Sequence, residues 1–496
     1  MVERSKMALV KIDILNHADY GGEFRKTPMA PGLSKFYSAI ESIRSKNREN
    51  CLLLDAGDNI NRILWHGKEV MDGLALINTD CMTLGNHEFD KGRENLEECI
   101  EHICNKMDIL CCNIVYKDSK QLIKNVKPYT IIEKNNIKYG IIGVTTSYTP
   151  YMVEKEAFSQ FEVLDEYQQL MKYLPEVKKQ SDLLIILAHM PFYFTDESES
   201  GDLIDLYYKI KQFKPDVMIG GHIPQDYCRV VDDCVICKGG FSGKSLPHCQ
   251  LTYDTESKKV VDRKCEVIDV IHSDFEGDKT VDEFVKKVTS KYDYYFDEVL
   301  GVAKEEIDMR LSRESHLGNF ICDAVKEITK ADFVYFNCTS CGYSLAKGDI
   351  TRFTISEAMG FNDNLQIGYY TGKDIYDLFT EVMMPQRFGN NGNIMFSGFN
   401  VVIDNNRKYP NKVVSIKKED GTDIRYDDIF KVVTSKYMAS GGNDTYQISK
   451  RSKWTDSSIP IHDVLADYIV EHKEITNPKL GRYVMIGQIE NDNSPW

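Results

Sequence analysis

The chain has 496 residues, with 61 basic and 76 acidic side chains and a formal net charge of −15. This length predicts two domains, and the acidic balance argues against a nucleic-acid polymer as partner, because a phosphate backbone requires a basic face. Met1–Leu9 has no signal-peptide pattern and no run reaches about 18 apolar residues, so we expect a cytoplasmic protein without a membrane span; the alternative is an exported protein whose leader has been removed. The fourteen cysteines fit a reducing compartment.

The first half of the chain alternates apolar strands with amphipathic helices. In chain order the patterns predict strand, loop, helix and strand over 9–60, helix, strand, helix and strand over 61–115, two strands about the turn Asn135–Asn136, helix and strand over 160–222, and short antiparallel strands over 234–270 that close a second sheet. This order predicts an α/β fold of four layers, with helices outside two sheets.

The second half begins with a charged stretch, 278–300, in which Val281, Phe284 and Val288 recur at helical spacing. We interpret it as one amphipathic helix that connects two domains, with the boundaries 1–275, 276–300 and 301–496. The second domain is predicted to contain a helix over 314–329, a strand over 333–337, a helix near 372–384, a loop at 389–393 and strands near 395–403 and 430–435.

Five apolar strands of the first domain run into residues that bind metals. These are Asp19, Asp58, Asn86, His189 and His222. Because α/β sheets place their sites at the carboxyl ends of the strands, we expect these side chains to converge. Carboxylate, amide and imidazole donors suit Mn²⁺, Zn²⁺, Fe²⁺ or Co²⁺ rather than Ca²⁺.

The hexapeptide Gly85–Asp90 carries most of this chemistry. Gly85 allows a sharp turn, and Asn86 and His87 then face one crevice. We expect Asp90 to hydrogen-bond His87 and fix its tautomer. The pattern favours a metal-assisted hydrolase; the alternative is a turn followed by a helix cap.

In this order the motifs resemble the two-domain 5'-nucleotidases. The quoted segments are Gly57–Asp58, Gly85–Asp90, Ala188–His189, Gly220–His222, Glu314–Asn319, Gly348–Thr351 and Ser440–Gly442. The resemblance covers about residues 9–487. It implies a four-layer α/β/β/α metallophosphatase domain followed by a smaller α/β substrate-binding domain, with two divalent ions and a small nucleotide substrate.

The resemblance assigns Asp58 as the residue that bridges both ions, and Asn86, His189 and His222 complete the second ion's ligands. His87 and Asp90 match the catalytic pair. Asp19 remains for the first ion, but Gly21 and Pro224 stand where the family has ligands. His17 or Gln225 could substitute for them, so one or two ions per chain remain open.

The resemblance also implies nucleotide contacts in the second domain. Arg313 matches a phosphate-binding arginine, Asn337 a ribose contact, and Phe361 and Tyr437 a pair of base-stacking rings. Asp444, or its neighbour Asn443, could bind the ribose hydroxyls. The family's glycine-rich run and second arginine are replaced by Cys338–Gly342, which indicates an altered polar grip.

We therefore predict a metal-dependent phosphohydrolase acting on a nucleoside 5'-phosphate, with a 2',3'-cyclic phosphodiester or a nucleotide-sugar pyrophosphate next. The alternative is a catalytically weakened member that binds a nucleotide-like ligand. Two Cys-x-x-Cys pairs, Cys234–Cys237 and Cys338–Cys341, are interpreted as chance spacing rather than a zinc or redox site. The sequence does not predict the oligomeric state.

Overall fold

A computed structural model describes residues 9–60, 67–194, 199–223, 225–310, 313–383, 394–442 and 445–487. The chain divides into two compact units, residues 1–291 and 292–496. The division lies within the predicted connector, 276–300. Among the described residues, none of the helices combines the length and the apolar run that crossing a bilayer requires.

The first unit contains helices and strands in the alternation that the sequence predicts. In chain order they are β1 (Leu9–His17), α1 (Gly32–Arg44), β2 (Cys51–Asp55), α2 (Gly67–Leu76), β3 (Cys81–Thr83), α3 (Gly92–Ile103), β4 (Asp108–Leu110), β5 (Ile114–Tyr116), β6 (Val126–Lys127), β7 (Tyr129–Lys134), β8 (Ile137–Thr145), α4 (Thr149–Met152), α5 (Lys155–Phe158), β9 (Phe161–Val163), α6 (Glu166–Gln180), β10 (Leu183–His189), β11 (Tyr193–Phe194), β12 (Glu199–Ser200), α7 (Asp202–Ile210), β13 (Val217–Gly220), β14 (Tyr227–Val231), β15 (Cys234–Lys238), β16 (Ser245–Asp254), β17 (Lys259–Asp269) and α8 (Lys279–Thr289).

Two sheets form the centre of this unit, in the orders β17-β16-β1-β2-β3-β4-β6 and β14-β15-β13-β10-β8-β7. Apolar side chains from both sheets, such as Ile14 and Leu54 facing Ile141 and Ile185, make one core between them. Helices α6 and α7 cover the outer face of the second sheet, α6 through Leu174 and α7 through Leu203. The central strands are buried on both faces, which explains their continuous apolar runs. The predicted four-layer fold is confirmed.

Two sequence predictions for this unit are wrong. Residues 234–270 do not close the second sheet with short strands: β15 joins that sheet parallel to β13, whereas β16 and β17 are long antiparallel strands at the edge of the first sheet. Nor is 278–300 one helix. Helix α8 ends at Thr289, and its Phe284 packs edge-on against Phe24, with ring centroids 5.7 Å apart.

The second unit is a smaller α/β domain. Its elements are α9 (Asp293–Phe296), β18 (Val299–Ala303), α10 (His316–Thr329), β19 (Phe333–Asn337), β20 (Gly348–Thr351), α11 (Arg352–Ala358), β21 (Asn364–Thr371), α12 (Gly372–Val382), β22 (Ile394–Ser397), β23 (Phe399–Asp404), β24 (Val413–Lys418), β25 (Ile429–Ser435), α13 (Lys436–Ala439), α14 (Tyr446–Ser449), β26 (Thr455–Pro460), α15 (Ile461–His472), β27 (Glu474–Ile475) and β28 (Tyr483–Ile486). Its largest sheet has the order β22-β19-β25-β21-β26. The predicted loop at 389–393 lies outside the described residues.

Candidate metal centre

The ends of strands from both sheets meet at one site in the first unit. Asp58 follows β2 and its Oδ2 lies 2.9 Å from Nε2 of His189, the last residue of β10. Asn86 follows β3 and its Oδ1 lies 2.9 Å from Nδ1 of His222, which follows β13. One ligand atom from each of Asp58, His189 and His222 lies within 4.8 Å of the others. The four residues predicted for the second ion are therefore brought together.

The orientation of His189 fits a metal ligand. Its Nδ1 lies 2.7 Å from the carbonyl oxygen of Ala56, which fixes that nitrogen as the hydrogen-bond donor. The other ring nitrogen, Nε2, is buried and lies 2.9 Å from Oδ2 of Asp58. A buried ring nitrogen directed at a carboxylate, with an amide oxygen and a second imidazole alongside, is a donor set that suits a divalent transition ion.

The charges of these groups point to the same conclusion. Burial opposes the ionised form of Asp58, but the neighbouring histidines, His189 foremost, outweigh it and hold the pKa of Asp58 below its usual value. Burial also opposes a charged His189, yet Asp58 raises its pKa to about 9. Burial, with His189 next, lowers the pKa of His222 to about 3. The cluster thus requires positive charge beside Asp58, which a divalent ion would supply in place of the His189 proton.

The backbone at the site is held in an uncommon conformation. Asp19, Asp58 and His222 have φ values of 53°, 61° and 76°, in the left-handed region. Such residues persist only where the surrounding structure fixes them, and they concentrate at functional sites.

Glu88, which sequence reasoning missed, fixes the loop after β2 and the loop after β3. Its buried carboxylate accepts hydrogen bonds from the backbone N–H groups of Asp58, Asn59 and Gly85, at 2.9, 2.7 and 2.6 Å. Gly85 is required for space rather than for a left-handed turn, because a Cβ there would lie 2.1 Å from Oδ1 of Asp58. The position of Glu88 inside the hexapeptide, between His87 and Phe89, was the available indication.

His87 and Asp90 form the predicted hydrogen bond, with Nδ1 of His87 2.7 Å from Oδ2 of Asp90. The other nitrogen, Nε2, lies 4.0 Å from Oδ2 of Asp58 and thus faces the metal-ligand cluster. Burial would lower the pKa of His87, but Asp90 and then Asp58 outweigh it and raise the pKa to about 10. His87 is therefore a cationic donor beside the cluster at neutral pH; its catalytic role stays a prediction.

The surroundings of Asp19 differ from those predicted. Its carboxylate accepts the backbone N–H of His222, and Nζ of Lys238 lies 3.1 Å from its Oδ2. His17 lies outside the group of residues close enough to share an ion: its ring packs edge-on against Phe36, its Nδ1 lies 3.7 Å from Asp55, and neither ring nitrogen has a hydrogen-bond partner among the described residues. Oε1 of Gln225 accepts a 3.5 Å hydrogen bond from the hydroxyl of Tyr227, and Pro224 lies outside the described residues, so substitution by either side chain stays a prediction. Sequence reasoning missed Lys238, although a lysine ending the apolar run Cys234–Cys237 was visible.

Three thiols also converge between the sheets. Sγ atoms of Cys228, Cys237 and Cys249 lie within 4.8 Å of one another, and Cys237 and Cys249 are 3.4 Å apart. Cys234, the other half of the Cys-x-x-Cys pair, belongs to the core on the opposite face of the sheet. Residues i and i+3 of a strand point to opposite faces, so that motif cannot supply two ligands to one ion.

In the second unit, Arg313 is exposed and has no hydrogen-bond or ion-pair partner among the described residues. It lines a small cleft together with Asn319, Cys338 and Tyr483. The next residue, Glu314, is firmly held, because its carboxylate accepts the side-chain N–H of Asn319 at 2.7 Å and the backbone N–H of Gly481 at 2.8 Å. Arg313 is thus an available guanidinium on a fixed support.

The residues predicted to contact the ribose and the base lie at one end of the five-stranded sheet. Asn337 ends β19, and Phe361 precedes β21, whose Leu365 pairs with Ser435 of β25. Tyr437 lies two residues after the end of β25. Its ring packs closely on Gly442, where an added Cβ would lie 2.4 Å from the ring. Asn337 donates to Thr339 within its own turn at 2.7 Å. Asp444 and Asn443 lie outside the described residues, and all these binding roles stay predictions.

Comparison with known proteins agrees with this architecture. Residues 18–226 match the calcineurin-like phosphoesterase family, and residues 299–451 match the 5'-nucleotidase C-terminal domain. The computed structure is similar to a crystal structure of a 5'-nucleotidase precursor from Thermus thermophilus, with a TM-score of 0.81, 18% identity and coverage of 97% of this chain and 100% of that one. At this identity the likeness shows the fold alone.

The relatives found by sequence differ in length. The chain is 26% identical to endonuclease YhcR of Bacillus subtilis over 84% of its own length, but spans only 35% of that protein. It is 25% identical to human 5'-nucleotidase, covering 91% of this chain and 85% of the relative.

The fold, the paired domains and the Asp, Asn and His cluster define a metallophosphoesterase. Within that class the chain has the two-domain architecture of the 5'-nucleotidase family, a calcineurin-like phosphoesterase domain followed by a 5'-nucleotidase C-terminal domain.

Proposed function

We propose that this chain is a divalent-metal-dependent phosphohydrolase that acts on a nucleoside 5'-phosphate or a related nucleotide phosphoester. The observation that carries the proposal is the convergence of Asp58, Asn86, His189 and His222, with the His87–Asp90 pair directed at the same cluster. A divalent ion at such a site polarises a phosphoryl oxygen and makes water a stronger nucleophile at neutral pH. Mn²⁺, Zn²⁺, Fe²⁺ and Co²⁺ all suit these donors.

His87 would act on the phosphoryl group through its Nε2. The hydrogen bond from Nδ1 to Asp90 holds the ring, so that Nε2 points toward Asp58 and the reacting group. Although burial lowers the pKa of His87, the Asp90 carboxylate raises it, which favours a proton on this nitrogen. It can therefore donate a hydrogen bond to an oxygen on which negative charge builds in the transition state.

The second unit carries the residues proposed to contact a nucleotide. The exposed guanidinium of Arg313 suits a phosphate oxygen, and the rings of Phe361 and Tyr437 suit the base. Stacking accepts every base, so the aromatic pair supports a nucleotide without selecting one. Asn337 and Asp444 are the proposed ribose contacts.

A phosphate-release screen tests the proposal. Metal-stripped protein is loaded separately with Mn²⁺, Zn²⁺, Fe²⁺ or Co²⁺ and offered nucleoside 5'-monophosphates, 2',3'-cyclic nucleotides and nucleotide sugars. We expect ion-dependent hydrolysis that is strongest with a 5'-monophosphate and absent from an Asp58→Asn variant. Nucleotide binding without phosphate release under any of these ions would overturn the proposal in favour of a binding protein.

A further inference from the structure

Lys238 is a charged residue buried at the end of a central strand. It is the last residue of β15 and stands opposite Gly220 of β13, the strand that leads to His222. Its side chain is 0% exposed. A lysine in this setting is almost always paired, because a buried ammonium without a partner is strongly unfavourable.

The partner of Lys238 is Asp19, the residue predicted to bind the first ion. Nζ lies 3.1 Å from Oδ2 of Asp19 and donates a second hydrogen bond, of 2.7 Å, to the carbonyl oxygen of Gly239. Both oxygens of Asp19 also face the backbone N–H of His222, at 3.0 and 3.1 Å. The carboxylate is thus satisfied by an ammonium and an amide from this chain.

Around Asp19 the sequence differs from the 5'-nucleotidase motifs at several positions, and these differences complement one another. Gly21 and Pro224 remove two ligands that the resemblance leads one to expect, and Lys238 adds a positive charge at the remaining one. A buried carboxylate requires a cation, but a lysine needs no ligand shell beyond its hydrogen bonds. The residues present therefore do not fit a first divalent ion, whereas they do fit the second.

We propose that the Lys238 ammonium takes the place of the first divalent ion, so that the centre operates with one divalent ion bound through Asp58, Asn86, His189 and His222. The role given to Lys238 rests on the proposed function: the ammonium neutralises Asp19, whose carboxylate would otherwise repel an incoming phosphoryl group. Lys238 is a positioning residue, since its contacts are to Asp19 and Gly239.

Manganese stoichiometry tests this inference without turnover. Metal-free protein is equilibrated with Mn²⁺, and bound ion is measured by elemental analysis and by electron paramagnetic resonance, which distinguishes an isolated ion from an exchange-coupled pair. Mn²⁺ is chosen because it prefers oxygen and nitrogen donors and will not report on the Cys228, Cys237 and Cys249 thiols. We expect one isolated ion per chain in the wild type, and still one in Gly21→His, because Lys238 remains in place.

Removing the Lys238 ammonium should allow a divalent ion to bind beside Asp19. We expect Lys238→Met combined with Gly21→His to bind a second, coupled Mn²⁺, and Lys238→Met alone to bind at most a weak one. Lys35→Met is the matched control, because Lys35 is also buried but donates only to the backbone carbonyls of Ile271 and Ser273. If the Lys238 variants fail to fold, the wild type and Gly21→His still decide the question.

A coupled ion pair in the wild type, or in Gly21→His with Lys238 intact, would overturn the inference. The proposed function fails separately. One isolated ion without phosphate release from any nucleotide refutes the function and leaves the inference standing, whereas a coupled pair with turnover refutes the inference alone.

Discussion

Asp58 and Asp19 are both buried aspartates that follow neighbouring parallel strands of the first sheet, β2 and β1, yet their surroundings differ. Asp58 faces two histidines and lies near an asparagine oxygen, all with atoms suited to a shared ion. Asp19 faces the Lys238 ammonium and the amide of His222. An aspartate that follows a parallel strand can therefore pair with a metal ion or with a side-chain cation, and the number of nearby ligands decides which of the two it binds.

Asp58→Asn is expected to have the largest effect. It removes the only carboxylate of the ligand set, so ion binding and hydrolysis should both be lost, with kcat/KM falling by about 10³-fold or more. Isothermal titration with Mn²⁺ and a phosphate-release assay measure the two losses. Asp72→Asn, at an exposed ion pair with Lys106, is the control and should change neither. Retained ion binding in Asp58→Asn would show that Asp58 is not a metal ligand and would contradict the distinction drawn between Asp58 and Asp19.

His87→Gln should lower kcat by about 10²- to 10³-fold while leaving ion affinity within a few-fold of the wild type. The reason is that His87 faces the cluster through Nε2 without belonging to the ligand set. Asp90→Asn, which weakens the hydrogen bond that orients His87 and removes the charge that raises its pKa, should cost about 10- to 100-fold. A parallel loss of Mn²⁺ affinity in His87→Gln would show that this histidine is a ligand instead.

Asp19→Asn separates the two aspartates most clearly. It removes the ion-pair partner of the buried Lys238 ammonium and leaves Asp226 as a weaker electrostatic neighbour, so we expect about 3–5 kcal/mol less stability in chemical denaturation, and an unchanged count of one bound ion. The double variant Asp19→Asn with Lys238→Met should recover part of that stability. Loss of the ion in Asp19→Asn without a loss of stability would mean that Asp19 is a metal ligand after all.

Changes in the second unit should leave the metal centre intact. Phe361→Ala and Tyr437→Ala should each raise KM for a nucleoside 5'-phosphate by about tenfold, the cost of one lost stack, with Mn²⁺ binding unchanged. Tyr369→Ala, at an exposed aromatic on β21, is the matched control. Equal KM values for Phe361→Ala and Tyr369→Ala would exclude Phe361 from the base contact.

The sequence predicted most of the fold because the buried strands are continuous apolar runs and the helices are amphipathic. It predicted the site because the ligands follow strand ends, which the topology then brings together. It did not predict Lys238, because a terminal lysine on a strand usually reaches solvent, and its burial depends on the approach of β15 to β1, where a Cβ at Gly239 would lie 2.5 Å from Cα of His17. Likewise, whether β16 joins the first or second sheet is set by long-range pairing that no local pattern contains.

The central claim is that one divalent ion binds beside Asp58 while Lys238 holds Asp19. A crystal structure of the Mn²⁺-loaded protein, recorded with anomalous scattering, tests it most directly. We predict a single anomalous peak among Asp58, Asn86, His189 and His222, with Nζ of Lys238 on the Asp19 carboxylate. A second peak between Asp19 and Asp58, with Lys238 displaced, would contradict the account.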